Sequence, residues 1–268
     1  MSFLELIRAK NCFMAGLSGI IGYLIANSTL NFYYIILIFL AIFFICGFGN
    51  CINDIFDIEI DRINKPYRPL PSGRVSIKTA KILAIILLVL GLISSLLINL
   101  YAFLLALFNS ILLYLYAKKY KRYKPIGNII VAYLTGSVFL FGGLVGRIDK
   151  VFILFLCSFL ATWCREIIKD YEDMEGDKKE GVISLPILYK DKSLYFASIL
   201  LILAVVFSFL PYYLGLFGKL YLIIILVCDI FFIYSIFILL KNRDIETAKK
   251  VSKLLKMIMV LVLLAFLT

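Results

Sequence analysis

The sequence contains no histidine. That absence excludes Ser-His-Asp triads, Cys-His pairs, haem held by an imidazole and most zinc or copper sites. Cysteine is scarce and unpatterned. Cys12, Cys46, Cys51, Cys157, Cys164 and Cys228 show no CxxC spacing, and most lie in apolar runs, where a thiol behaves as a small hydrophobe. No disulfide framework is expected. Long polar stretches, linkers and low-complexity segments are missing too, so residues 1–268 are expected to form a single domain. The ionisable side chains left for chemistry are Asp, Glu, Lys, Arg, Tyr and Cys.

What the chain has is apolar length. Hydrophobic residues make up 63% of it, against roughly 45–50% in ordinary soluble domains, and the mean hydropathy is +1.02. Runs of about 20 apolar residues recur throughout, the pattern of an all-α, polytopic membrane protein. Nine transmembrane helices are expected, near 11–30, 33–53, 79–98, 100–117, 128–146, 151–168, 194–213, 219–240 and 252–268. The first run follows only ten residues and lacks a small-residue cleavage site, so it is expected to be a retained span.

The net charge of +11 invites a nucleic-acid partner, but its distribution speaks for topology and against nucleic acid. The N-terminus and the regions after the second, fourth, sixth and eighth spans hold 2, 6, 5, 6 and 6 basic residues, 25 of the 28 in the chain. The other side keeps Arg147, Lys150 and Lys219. The positive-inside rule then predicts a cell-membrane protein with a cytoplasmic N-terminus and an outside C-terminus. Ala15/Gly19 and Ser18/Gly22 form small-xxx-small pairs, and Gly142, Gly143 and Gly146 follow in the fifth span. Close helix packing accounts for all of them.

Two acidic segments stand out against this background. Asn53, Asp57 and Asp61 are spaced i, i+4, i+8 at the end of the second span. At 100° per residue they stack on one helical face over about 12 Å, and Asp54 and Glu59 are set apart from that stack. After the sixth span, REIIKDYEDMEGDKKEG (Arg165–Gly181) places Asp173 and Asp177 at i, i+4, with Asp170 three residues before Asp173. Together the two segments hold 11 of the 17 acidic residues, both on the expected cytoplasmic side. Stacked carboxylates repel one another unless something positive lies between them. Salt-bridged loops explain one such segment. Two are better explained by Mg²⁺, which takes a few carboxylates and completes its shell with water and substrate phosphates. Lys65, Arg68 and Arg74 then suit phosphate oxygens. Tyr114 and Lys118 sit i, i+4 at the end of the fourth span, where positive charge also suits the helix dipole.

These residues resemble the UbiA family of intramembrane prenyltransferases. Its NDxxDxxxD motif matches Asn53–Asp61, its KPxRPLPSG segment Lys65–Gly73, its YxxxK motif Tyr114–Lys118 and its DxxxD motif Asp173–Asp177. The resemblance covers nearly the whole chain and implies a nine-helix prenyltransferase bundle. Arg165–Gly181 and the opening ELIRAKNCFMAG are most similar to the archaeal ether-lipid branch of the family. That similarity implies two substrates, geranylgeranyl diphosphate and geranylgeranylglyceryl phosphate, besides the lipid bilayer, and Mg²⁺ as cofactor.

The resemblance further implies roles. Asn53, Asp57, Asp173 and Asp177 are the expected metal ligands. Asp61 either joins them or holds basic side chains in place. Asp57, Asp61, Asp173, Lys118 and Tyr114 form the expected catalytic set. Lys118, Lys65, Arg68 and Arg74 are expected on the diphosphate, and Arg8, Asn11, Arg165 and Lys169 are candidates for the acceptor's phosphate, with interfacial snorkelling the alternative for Arg8. The base is a carboxylate, a tyrosinate or the released diphosphate. Asp229, an acid inside the eighth span, is left outside the site. Two other functions remain open: the same fold acting on an aromatic, quinone-precursor or tetrapyrrole acceptor, and a secondary transporter. Against the transporter, the acids cluster at helix ends rather than at the midplane, and no half-to-half repeat is expected.

Overall fold

The computed structural model describes residues 2–268, and the described residues are predominantly helical. In chain order the helices are α1 (Ser2–Leu6), α2 (Ala9–Ala26), α3 (Phe32–Phe56), α4 (Ile58–Asn64), α5 (Ile77–Ile98), α6 (Leu100–Leu115), α7 (Lys124–Gly143), α8 (Ile148–Glu172), α9 (Met174–Lys179), α10 (Leu185–Tyr189), α11 (Lys192–Ser208), α12 (Leu210–Tyr213), α13 (Lys219–Asn242) and α14 (Ile245–Ala265). A π-helical turn, Tyr116–Tyr120, extends α6. The one element of β type among the described residues is an isolated parallel bridge between Tyr123 and Ile183.

Short polar side chains start several of these helices. Asn31, Ser76, Asn99 and Asp244 each accept from a main-chain N–H two or three residues on, satisfying donors that a helix N-terminus leaves open. Eight described helices are long and apolar enough to cross a membrane, and the chain is a multi-pass membrane protein. The count is one short of the nine expected. The ninth expected span, 252–268, overlaps α14, which starts and ends earlier and is amphipathic. Its buried stripe is Ala248, Val251, Ser252, Leu255 and Ile258, while Lys249, Lys250, Lys253 and Lys256 are exposed. Four lysines in its first twelve residues separate it in composition from the other spans.

The chain groups into two compact units, one of residues 1–121 and 138–148, the other of residues 122–137 and 149–268. In the first, α3 packs against α2, α5 and α6. Its core has two parts, one around Leu6, Cys51, Ala80 and Ala84, the other around Ile38, Ala41 and Ala102. In the second, α13 packs against α11 and α14 around Cys164, Ile167, Leu194, Ala197, Val251 and Leu255. Each unit leaves large apolar side chains outside, such as Ile82, Ile85, Ile93 and Leu96 on α5, as expected where the surrounding solvent is lipid.

Small residues let backbones touch in the first unit. A Cβ added at Gly22 would lie 2.4 Å from the carbonyl oxygen of Phe139, and one at Gly142 would lie 2.1 Å from that of Gly19. The opposing atoms are main chain and have no rotamer to escape into. Gly142→Val is therefore expected to destabilise the first unit by at least about 1–3 kcal/mol, the usual cost of overpacking. A clearly lowered unfolding midpoint in detergent is the check, and an unchanged midpoint would refute this account of the glycines.

Candidate active site

The two acidic segments share one local design. α3 ends at Phe56, Asp57 adopts φ −90° and ψ 1°, and α4 resumes at Ile58. α8 ends at Glu172, Asp173 adopts the same φ −90° and ψ 1°, and α9 resumes at Met174. The first stack of acids is thus not carried on one continuous helix, although helical main-chain bonding persists across both interruptions. Asp57 N–H donates to Asn53 O at 3.0 Å and Asp61 N–H to Asp57 O at 2.8 Å. Asp173 N–H donates to Lys169 O and Asp177 N–H to Asp173 O, both at 3.0 Å.

Asp54 is central to the first segment rather than set apart from it. It is 4% exposed, as is Asp61. Seven residues of helix turn through about 700°, so positions i and i+7 differ by only about 20° in azimuth. One guanidinium meets both: Arg68 Nη1 lies 2.6 Å from Asp61 Oδ2 and 3.4 Å from Asp54 Oδ1. Burial works against the charge on Arg68, but the hydrogen bond to Asp61 and the charges of Asp54, Asp61 and Asp57 outweigh it and hold the guanidinium pKa above its ordinary value. Arg8 Nη2 reaches the same Asp54 oxygen at 2.6 Å. Arg8 has φ 52° and ψ 57°, a left-handed conformation uncommon for a side-chain-bearing residue, at the junction of α1 and α2. Asn50 supports it, donating to Ile7 O at 2.8 Å and accepting from Arg8. Asp57, 8% exposed, pairs with Lys121 just beyond the π-helical turn.

The second segment repeats the arrangement with other residues. Asp170 is 3% exposed, and Asp177 lies seven residues on. Lys124 Nζ meets both, 2.8 Å from Asp170 Oδ1 and 2.5 Å from Asp177 Oδ2. Asn128, one turn along α7, donates to Asp170 Oδ2 at 2.7 Å. The duplication shows in the residues themselves: Asp54–Asp61 reads DIFDIEID and Asp170–Asp177 reads DYEDMEGD, both DxxDxExD. The expectation of no repeat between halves therefore needs correcting at this local scale.

The other expected site residues are less tightly held. Lys118 is exposed, with its ammonium 5.7 Å from the centroid of the Tyr114 ring, and the Phe56 ring packs edge-on against Tyr114 at 5.8 Å. Lys65 and Lys169 are exposed. Arg74 forms a two-point ion pair with Glu5, at 2.8 and 3.0 Å, which lowers the Glu5 pKa and raises that of Arg74. Arg165 pairs with Glu166 at 2.8 Å. Asn11 is exposed on α2. Asp173 is exposed. Asp229, outside the expected site, is buried and accepts from Ser208 Oγ at 2.9 Å.

These residues fit a divalent metal in one respect in particular. Asn53 Oδ1 is buried with no hydrogen-bond partner, an acceptor atom left open where such atoms are nearly always satisfied. Among the described residues no three Asp, Glu or Cys groups converge as a protein-only metal cage. Asn53 with Asp57, and Asp173 with Asp177, offer oxygen donors of the kind Mg²⁺ uses when water and phosphate complete its shell.

The fold and these acidic centres define a multi-pass helical membrane protein with a duplicated carboxylate-and-cation motif. The model of the UbiA prenyltransferase family matches residues 15–262, and the chain belongs to that family. A digeranylgeranylglyceryl phosphate synthase of Methanocaldococcus jannaschii is 62% identical, over 99% of this chain and 94% of its own length. One from Methanococcus aeolicus is 56% identical, over 98% and 95%. A solved structure of digeranylgeranylglyceryl phosphate synthase matches with TM-score 0.94 and 62% identity, over 99% of this chain and 96% of that one. A UbiA homologue from Archaeoglobus fulgidus, bound to GPP and Mg²⁺, matches in fold with TM-score 0.69 and 18% identity, over 99% of both chains.

Arg68 neutralises two buried carboxylates, so its loss strands charge out of water. Arg68→Met is expected to cost about 3–5 kcal/mol, the usual penalty for breaking a buried ion pair. Arg68→Lys is expected to recover only part of it, because an ammonium lacks the planar fork. Denaturant unfolding in detergent micelles checks both. A Met variant within 1 kcal/mol of wild type would show that Arg68 does not hold the segment.

Proposed function

We propose that this protein transfers the geranylgeranyl group of geranylgeranyl diphosphate to the free hydroxyl of geranylgeranylglyceryl phosphate, forming the second ether bond of an archaeal membrane lipid. The observation that carries this reading is the 62% identity, over nearly the full length of both chains, to a relative named for that reaction. The duplicated DxxDxExD segments support it from the chain's own chemistry.

In this proposal residues 1–268 act as one catalytic domain, and each carboxylate set serves metal–diphosphate binding. Asn53, Asp57, Asp173 and Asp177 are the metal ligands, with Asp61 tied to Arg68. Mg²⁺ supplies Lewis-acid neutralisation of the leaving diphosphate; a UbiA homologue of the same fold is bound to GPP and Mg²⁺. Lys118, Lys65, Arg68 and Arg74 stabilise negative charge on the diphosphate as the allylic C–O bond breaks. Preorganised charge of this kind is often the largest catalytic term. Tyr114 holds Lys118 through its ring face and sets its reach. The acceptor hydroxyl attacks the allylic carbon and gives up its proton to a carboxylate, a tyrosinate or the departing diphosphate. Arg8, Asn11, Arg165 and Lys169 are the candidate partners of the acceptor's phosphate. With α14 counted as a ninth crossing, positive charge at alternate helix ends supports a cytoplasmic N-terminus and active site, with the C-terminus outside.

The test offers purified protein geranylgeranyl diphosphate and Mg²⁺, with geranylgeranylglyceryl phosphate and 4-hydroxybenzoate as separate acceptors. EDTA-sensitive transfer to the glyceryl phosphate is expected. Transfer to the aromatic acid alone would overturn the acceptor and keep the family. Asp57→Ala and Asp177→Ala are each expected to abolish turnover while leaving folded protein, and near-wild-type activity in either would remove the metal-ligand assignment.

A further inference from the structure

Lys124 belongs to none of the motifs that mark the family in this sequence, yet it is the most constrained cation of the second acidic segment. Its ammonium joins Asp170 and Asp177. Its own main chain is fixed as well: Lys124 N–H donates to Ile183 O at 2.9 Å, and Ile183 N–H donates to Arg122 O at 3.0 Å. Val182 N–H in turn donates to Asp177 O at 3.0 Å. The start of α7, the end of α9 and the strand-like segment after it are thus tied around one ammonium group. Asn128 saturates the far oxygen of Asp170.

Arg68 stands in the same relation to Asp54 and Asp61. Both cations bridge the first and last aspartates of a DxxDxExD segment, and both segments are interrupted at the middle aspartate with the same backbone angles. The cations reach their carboxylates from opposite directions in the chain. Arg68 follows Asp61 by seven residues, whereas Lys124 precedes Asp170 by 46.

We propose that Lys124 is a positioning residue for the second carboxylate set, the counterpart of Arg68 in the first. It fixes the outer aspartates so that Asp173 and Asp177 are held at the spacing a metal-bound diphosphate requires. The proposal rests on the reading of the protein as a prenyl-diphosphate-using enzyme. It predicts an effect on metal–diphosphate binding itself, since supporting partners of metal ligands commonly contribute 10–100-fold to metal affinity or activity.

The experiment compares wild type, K124M and K124R in detergent. Mn²⁺ is titrated in the presence of a non-hydrolysable geranylgeranyl diphosphate analogue, with bound Mn²⁺ followed by electron paramagnetic resonance. Transfer rates are measured separately over a range of Mg²⁺ concentrations. K124M is expected to weaken Mn²⁺ binding about 10–100-fold and to raise the Mg²⁺ concentration for half-maximal rate in parallel. K124R keeps a cation between the two aspartates and is expected to recover most of both. If K124M does not fold, the charge-balanced double variant K124M/D170N replaces it with the same expectation. Binding within twofold of wild type in the methionine variant, or no recovery in K124R, overturns the role of Lys124. Wild-type protein that binds no Mn²⁺ with the analogue overturns the enzymatic reading on which the role depends, so the two failures are distinct.

Discussion

Asp54 and Asp170 are 4% and 3% exposed, and an ionised carboxylate taken that far from water costs several kcal/mol unless a cation and hydrogen bonds replace the solvent. In each unit a cation shared with a second aspartate seven residues on meets part of that requirement, and Arg8 in the first unit and Asn128 in the second meet the rest. The sharing has structural consequences. It ties the end of a long apolar helix to the short helix that follows, and it fixes the turn between them. The middle aspartates, Asp57 and Asp173, sit at that turn with φ −90° and ψ 1°. The geometry of the candidate site therefore descends from the neutralisation of two buried acids, and the residues that neutralise them matter as much as the acids.

The two units solve the problem with different chemistry. In the first, two arginines converge on Asp54, and Arg8 does so from a left-handed backbone position. Such a conformation costs of order 1–3 kcal/mol and persists only where the surroundings over-determine it. Here Leu6 and Ile7 anchor one side of Arg8 in the core, and Asn50 and Asp54 hold its side chain. In the second unit a lysine and an asparagine share the work. An ammonium is a compact point charge with three donors; Lys124 spends two of them on Asp170 and Asp177, and Asn128 supplies the donor that Arg8 gives in the first unit. The same electrostatic need is met by unrelated residues from different parts of the chain.

That difference explains what could and could not be read in the sequence. Helical class and membrane residence were legible, because runs of about 20 apolar residues admit few other structures in lipid. The last span was not, because hydropathy alone joined the apolar end of α14 to residues beyond it and missed the lysine-bearing first turns that belong to the same helix. The four-residue spacing pointed to Asp57, Asp61, Asp173 and Asp177, and the structure sets Asp57, Asp61 and Asp177 beside cations and leaves Asp173 exposed. Asp54 was set aside although the signal was present: i and i+7 share a helical face as closely as i and i+4 do, and DxxDxExD occurs twice. Lys121, Lys124, Asn50 and Asn128 had no local signal at all. A basic residue among several in a loop looks like topology, and only the folded chain shows which of them meets a buried acid.

The absence of histidine gives this arrangement its chemical meaning. No side chain in the protein has an ordinary pKa near neutrality to shuttle a proton, as imidazole does. What the chain concentrates at its two acidic centres is fixed charge: paired aspartates, arginines and lysines, and one open amide oxygen on Asn53. Such a set is poorly suited to activating a weak nucleophile by deprotonation, and well suited to stabilising a leaving group that carries most of the developing charge. For an allylic diphosphate those two routes differ in demand. The nearer the C–O bond comes to breaking before attack, the less basic the acceptor hydroxyl's proton acceptor has to be. In the proposed reaction, a site made of carboxylates and their cations supplies what is needed at the diphosphate end, and the proton can follow the negative charge to the leaving group.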